Sequence, residues 1–138
     1  MPVKQVVTQD LSLVVGRAWG VLTADELLVM PAVTRAHPGF RPHFRQLADF
    51  RDVTEFDFSG DDVRRMAGQI IYAPNARRVF IAGSDVSFGL GRMYQLLREV
   101  PDDGLCIVRD LAEALAWLDL TDHAAQVLQI LDDLVANP

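Results

Sequence analysis

The spacing of apolar positions changes repeatedly along this chain, and each change marks an element. Val3 to Thr8 is a short run of strand formers ending at Gln9-Asp10. From Leu11 to Trp19 the odd positions Leu11, Leu13, Val15, Arg17 and Trp19 alternate with Ser12, Val14, Gly16 and Ala18. The short first run and the alternation in the second predict a hairpin. Thr23-Ala24-Asp25-Glu26 then has the spacing of a capping box, with Leu22 and Leu27 at the positions of a hydrophobic staple. A helix is expected from there. Pro31 should kink it or end it early, because proline lacks an amide hydrogen and its ring meets the preceding turn. His37 to Pro42, HPGFRP, is a loop.

Phe44 to Phe50 predicts a third strand that empties into a charged loop, Arg51 to Asp57. Ser59 opens a second capped helix, with Asp62 at its third position and a Phe58/Val63 staple. That helix is expected to reach about Tyr72, before Ala73-Pro74-Asn75. Val79-Phe80-Ile81-Ala82 is short and uniformly apolar, as a parallel strand covered on both faces should be. Gly83-Ser84-Asp85 leads into a third helix through Met93, Leu96 and Leu97, Pro101 to Gly104 is a turn, Leu105 to Val108 a fifth strand, and Leu111 to Leu118 a fourth helix. The alternation predicts an α/β fold with a mixed, mostly parallel five-stranded sheet, strand one antiparallel, and four helices on its faces. Residues 3–118 form that domain. Residues 119–138 form a C-terminal helical extension, in which Ala124, Val127, Leu128, Leu131, Leu134 and Val135 make one apolar stripe. The stripe would pack on its own domain or on a second copy, making a homodimer.

Composition narrows the classes of function. With 138 residues and half of them hydrophobic, the chain can bury a core without staples. Cys106 is the single cysteine, set in an apolar run, which excludes an internal disulfide and multi-cysteine metal sites and fits a reducing compartment. No segment has the character of a signal peptide or a membrane span, so a cytoplasmic location is expected. The net charge is -6, and beyond Arg109 there are acids but no lysine or arginine. An acidic tail on a neutral body offers nothing to nucleic acid or anionic lipid.

Catalytic signatures are sparse. His37, His43 and His123 have no partners at metal-ligand spacing, and no nucleophile elbow or phosphate-cradling loop is present. Gly89 and Gly91 fall inside a helical pattern and suggest close packing. No metal or cofactor is expected. Ligands of open parallel sheets collect at the carboxyl ends of the strands. That edge would carry Asp49, Arg51, Asp52, Ser84 and Asp85, with Arg92 reaching in from the third helix, and two serine-capped helix starts could suit an anion. Ser59 and Ser84 also read simply as caps, and Arg51 as the partner of Asp49 or Asp52. An enzyme would need Asp49, Asp52 or Asp85 as acid or base near Arg92, and the spacing singles out none. The expectation is therefore a non-enzymatic protein.

Ala48 to Gly60, ADFRDVTEFDFSG, resembles the segment of STAS domains, the SpoIIAA-like anti-sigma-factor antagonists, in which a strand and loop lead into an Asp-x-Ser-Gly helix start. Here that start is Asp57-Phe58-Ser59-Gly60. WGVLTADELL, FGLGRMYQLL and RDLAEALAWL are likewise similar to a group of uncharacterised bacterial STAS-like proteins. The resemblance implies a regulatory or protein-interaction module with an unknown protein partner, and it places the phosphorylated, partner-binding serine at Ser59. Phe58 stands where a small residue usually precedes that serine, and Asp61 and Asp62 follow the glycine. A phosphate there would gain ~0.3–1 kcal/mol from the helix terminus, and each carboxylate at ~6 Å would oppose it by roughly 0.7 kcal/mol per unit charge in water. Similar folds in CRAL-TRIO lipid-transfer domains imply an alternative, a carrier or sensor of a small apolar or anionic ligand in a pocket lined by Phe56, Phe58, Phe88 and Met93.

Overall fold

The computed structural model of the chain describes residues 2–100 and 103–136. Pro101 and Asp102 of the expected turn, and residues 137 and 138 of the expected extension, lie outside the described residues. The elements are β1 (Val3–Thr8), β2 (Leu13–Thr23), α1 (Ala24–Leu28), α2 (Met30–Ala36), β3 (Arg45–Asp57), α3 (Gly60–Ala67), β4 (Arg78–Ala82), α4 (Asp85–Leu97), β5 (Leu105–Val108), α5 (Leu111–Leu118) and α6 (Ala124–Ala136). The strands form one sheet in the order β1-β2-β3-β4-β5. β1 is antiparallel to β2 and the other pairings are parallel, as the alternation of elements predicts.

Three elements differ from the pattern-based expectation. The first helix is two: the Thr23/Glu26 capping box starts α1, and Pro31 sits in the first turn of α2, where its missing amide costs nothing. The expected charged loop is strand, because Arg51–Asp57 continues β3 and pairs with the far half of β2 across two register shifts. β4 accompanies β3 only as far as Phe50. Val53 is buried while Thr54 and Glu55 face water, so the charges that suggested a loop belong to a strand with one wet face. Finally, α3 stops at Ala67 instead of Tyr72. The Gln69 side-chain amide donates to Leu28 O at 3.0 Å, and Tyr72 turns inward to meet Phe40 edge-to-face at 5.4 Å. Tertiary packing overrides local helical preference there.

The two faces of the sheet are packed differently. On one, Leu13, Val15, Leu47, Val79, Ile81 and Val108 make a continuous core with Leu115 and Leu118 of α5 and Val127 and Leu131 of α6. The apolar stripe of α6 therefore docks on its own sheet, and Leu128 and Val135 stay exposed. On the other face, α1 to α4 cover a surface built from smaller and more polar residues. Gly91 lets α4 approach β5, since a Cβ there would lie 3.1 Å from Ile107, whereas a Cβ on Gly89 would meet nothing. Close packing thus accounts for only one of the two helical glycines. Among the described residues, no helix is long and apolar enough to cross a membrane.

Leu131→Ala should cost about 2–5 kcal/mol, as large-to-small changes at filled core sites do. Urea unfolding measures it. A loss below ~1 kcal/mol would show that α6 is not part of the core.

Candidate functional site

Over the middle of the α1–α4 face lies a cavity of about 160 Å³. Its floor is low because Gly16 on β2 and Ala48 on β3 are register partners, so two adjacent central strands lack bulk at the same level. Gln5 flanks this row on β1, and Phe80 flanks it on β4. Leu27 and Met30 on one side, Val63 and Met66 above, and Leu90 on the other side complete the walls. Side chains this close to a sheet normally interdigitate. Here the larger neighbours hold the helices off while the floor is bare. Gln5 Nε2 donates to Thr34 Oγ1 at 2.6 Å and ties α2 to β1.

A row of aromatic rings runs along the cavity wall. Tyr94 meets Phe80 at 5.3 Å between centroids, Phe80 meets Phe50 at 5.6 Å, Phe50 meets Phe56 at 6.3 Å and Phe56 meets Phe58 at 5.5 Å. The row ends beside Ser59.

At the amino ends of the parallel strands the lining turns polar. The Arg78 guanidinium donates from Nε to Gln46 Oε1 at 2.9 Å and from Nη2 to the Tyr94 hydroxyl at 3.1 Å. Its carbon lies 4.9 Å over the Tyr72 ring. Arg98 donates to Asp103 Oδ2 at 2.6 Å, while Arg78 Nη1 is 3.8 Å from the other oxygen of the same carboxylate, too far for a hydrogen bond. Arg78 Nη1 and the Tyr72 hydroxyl are buried and have no hydrogen-bond partner among the described residues. Burial pushes the Tyr72 phenol well above its ordinary pKa, against the opposing pull of Arg78, so the hydroxyl keeps its proton. Burial works against the Arg98 charge, but Tyr94 and Asp103 outweigh it and hold the guanidinium protonated.

The residues expected at the carboxyl-end edge are mostly paired with neighbours. Asp49 is 1% exposed and accepts from the Arg51 amide at 3.0 Å and from Arg51 Nε and Nη2 at 3.0 and 2.8 Å. These hydrogen bonds raise the Arg51 pKa further. Asp52 pairs with Arg17 at 2.7 Å and Asp85 with Arg109 at 2.9 Å. Ser84 caps α4 by accepting from the Ser87 amide at 3.1 Å. A Cβ on Gly83 would lie 2.4 Å from Arg51 O, so the turn before α4 presses on β3 and requires glycine. Arg92 does not join this edge; it donates to Gln95 Oε1 at 2.9 Å from the exposed side of α4. Of the six residues only Asp49 touches the cavity.

Ser59 is exposed and makes the full capping box, with its oxygen accepting from the Asp62 amide at 3.2 Å and its own amide donating to Asp62 Oδ2 at 2.8 Å. The Ser59 amide and Arg65 together hold the Asp62 carboxyl below its usual range. Asp57 ends β3, also exposed, and Gly60 lies against Met93, whose terminal carbon would be 3.3 Å from a Cβ there. Of the four residues expected to line a pocket, Phe56 and Phe58 do. Phe88 instead packs with Ala82, Leu105 and Ile107, under the Arg109 guanidinium. Met93 packs at the start of α3. Cys106 is half-buried, and burial pushes its thiol up, with Glu113 adding to the shift.

Gln46, Tyr72, Arg78 and Tyr94 were invisible as a group in the sequence. Signals existed singly: a glycine inside an alternating strand at Gly16, and an arginine directly preceding the apolar run Val79 to Ala82.

Replacing the cap, Ser59→Ala, should cost about 1 kcal/mol in urea unfolding. Because the Asp62 pKa is lowered on folding, its share of the cap is full near neutrality and fades as pH falls through its folded-state value. The penalty of Ser59→Ala should therefore shrink in acid. An equal penalty at pH 7 and in strong acid would mean that the Asp62 carboxylate adds nothing through the Ser59 side chain.

No protein-family model matches the chain, and no curated protein matches it. Among solved structures it is similar to an uncharacterised protein of the DUF3478 family, with a SpoIIAA-like fold, from Shewanella loihica. The two share 19% identity over 84% of this chain and 91% of that one, with a TM-score of 0.54. Together with the strand order and the single antiparallel edge, this shows that the chain has a SpoIIAA-like fold.

Proposed function

We propose that this chain is a non-enzymatic binding module of STAS type, in which a small, mainly apolar ligand on the sheet face adjusts how the exposed start of α3 meets a protein partner. The observation that carries the reading is the cavity over Gly16 and Ala48. Pockets of this kind, apolar with a few placed polar groups, are the usual form of a small-molecule site. Phe56 and Phe58 belong to its wall, and Ser59 follows at the surface. A ligand that moves the aromatic row would therefore move the helix cap. The carboxylates of the strand edge support binding over acid-base chemistry, since Asp49, Asp52 and Asp85 are each engaged by an arginine.

Toluene, as a neutral probe, should raise the melting temperature by roughly 4–6 °C at about ten times its Kd, corresponding to ~1.4 kcal/mol. It should also slow amide exchange at residues 56–63. Folded Ala48→Leu, which fills the floor, should show neither effect. An equal shift in Ala48→Leu, or no binding of either a neutral or an anionic single-ring probe by the native protein, would refute a ligand site here. Uptake without any change at residues 56–63 would refute the link to α3.

A further inference from the structure

We propose that the cavity is built for a compact organic monoanion, a carboxylic acid about the size of benzoate, with its carboxylate at the Arg78 end and its apolar body over Gly16 and Ala48. This rests on the cavity being a ligand site and adds what the ligand is. Three independent observations lead to it.

The first is size. An apolar cavity of ~150 Å³ is known to take up benzene, and this one measures about 160 Å³. A single ring or a short branched chain fits such a space.

The second is charge. Arg78 and Arg98 are both buried, with side chains 5% and 2% exposed, and among the described residues they share one carboxylate, Asp103. Among the described residues, two guanidinium groups against one carboxylate leave one positive charge at this end of the cavity. A buried charge short of a partner is costly. A ligand bearing one negative charge completes the set, and a dianion would exceed it.

The third is the pattern of unused donors. Arg78 Nη1 and the Tyr72 hydroxyl both belong to cavity-lining residues, and among the described residues neither has a hydrogen-bond partner. The Arg78 guanidinium carbon lies 4.9 Å from the centre of the Tyr72 ring, so the two residues share one end of the cavity wall. Tyr72 is a protonated donor at any ordinary pH. A carboxylate offers two acceptor oxygens and can engage both. Gln46 and Tyr94 already fix the guanidinium plane through its other nitrogens.

Isothermal titration with benzoate and with toluene, its near-isosteric neutral counterpart, tests the assignment. The native protein should bind benzoate at least tenfold more tightly than toluene. Tyr72→Phe removes only the unpartnered hydroxyl, so it should melt no lower than the native protein, bind toluene unchanged and bind benzoate at least threefold more weakly. Arg78→Met should abolish the preference for benzoate. If Arg78→Met fails to fold, Tyr72→Phe decides alone. Toluene bound as tightly as benzoate by the native protein would overturn the anion assignment and leave the apolar site standing. Failure of both probes would overturn the assignment together with the site. Benzoate preference unchanged in Tyr72→Phe would overturn the placement of the carboxylate at this corner.

Discussion

Gly16 and Ala48 sit side by side on the two longest strands, and their missing bulk governs one half of the molecule. Side chains alternate across a strand, so the same strands that turn Leu13, Val15 and Leu47 toward α5 and α6 turn Val14, Gly16, Gln46 and Ala48 toward α1 to α4. The first set fills its face completely. The second leaves space under the helices, bounded by aromatic rings and closed at one end by Arg78. A dense face gives the sheet its rigidity, and the loose face can then hold a cavity without collapsing.

Arginine also solves the problem of the acidic C-terminal part. Beyond Arg109 the chain has no lysine or arginine of its own, yet its helices meet basic side chains from the strands and the segment before β4. Arg45 Nη1 donates to Leu118 O at 2.7 Å, Arg77 Nη1 to Trp117 O at 3.1 Å and Arg17 Nη1 to Leu131 O at 3.0 Å. The first two meet the carboxyl end of α5, where unpaired carbonyls carry partial negative charge. The imbalance visible along the sequence is therefore compensated in space. It marks how α5 and α6 dock, and it is no sign of a detached tail.

The two ends of the parallel strands do different work. At the carboxyl ends, where open α/β sheets commonly bind ligands, the charged residues pair with one another and the serines cap helices. At the amino ends, Arg78 and Tyr72 line the cavity and each keeps a buried donor without a partner among the described residues. Ser59 lies at neither polar corner. It is a helix cap at the surface, joined to the cavity through Phe58 and Phe56. The acids around it are also partly neutralised, because Arg64 and Arg65 pair with Asp61 and Asp62 on the first turns of α3. Charge opposition to a phosphate at Ser59 is thus weaker than the bare sequence suggests.

Local rules were enough for much of the fold. β5 and α5 have the predicted bounds, the Thr23 and Ser59 capping boxes form, and the element order dictates a mostly parallel sheet with one antiparallel edge. These features depend on period, capping and turn chemistry, which act over a few residues. The misread elements depend on partners far away in sequence. Arg51 to Asp57 becomes strand because β2 extends alongside it, and Tyr72 leaves its helix because Phe40 and Phe44 await it. The cavity belongs wholly to this second kind. Gly16, Gln46, Ala48, Tyr72, Arg78 and Tyr94 are unremarkable one by one, and only strand register and helix placement bring them together. Local pattern was enough for most strands and helices and for the order in which they run. The tertiary structure alone decided where space and unpaired charge remain, because both are set by what fails to meet across the packed faces.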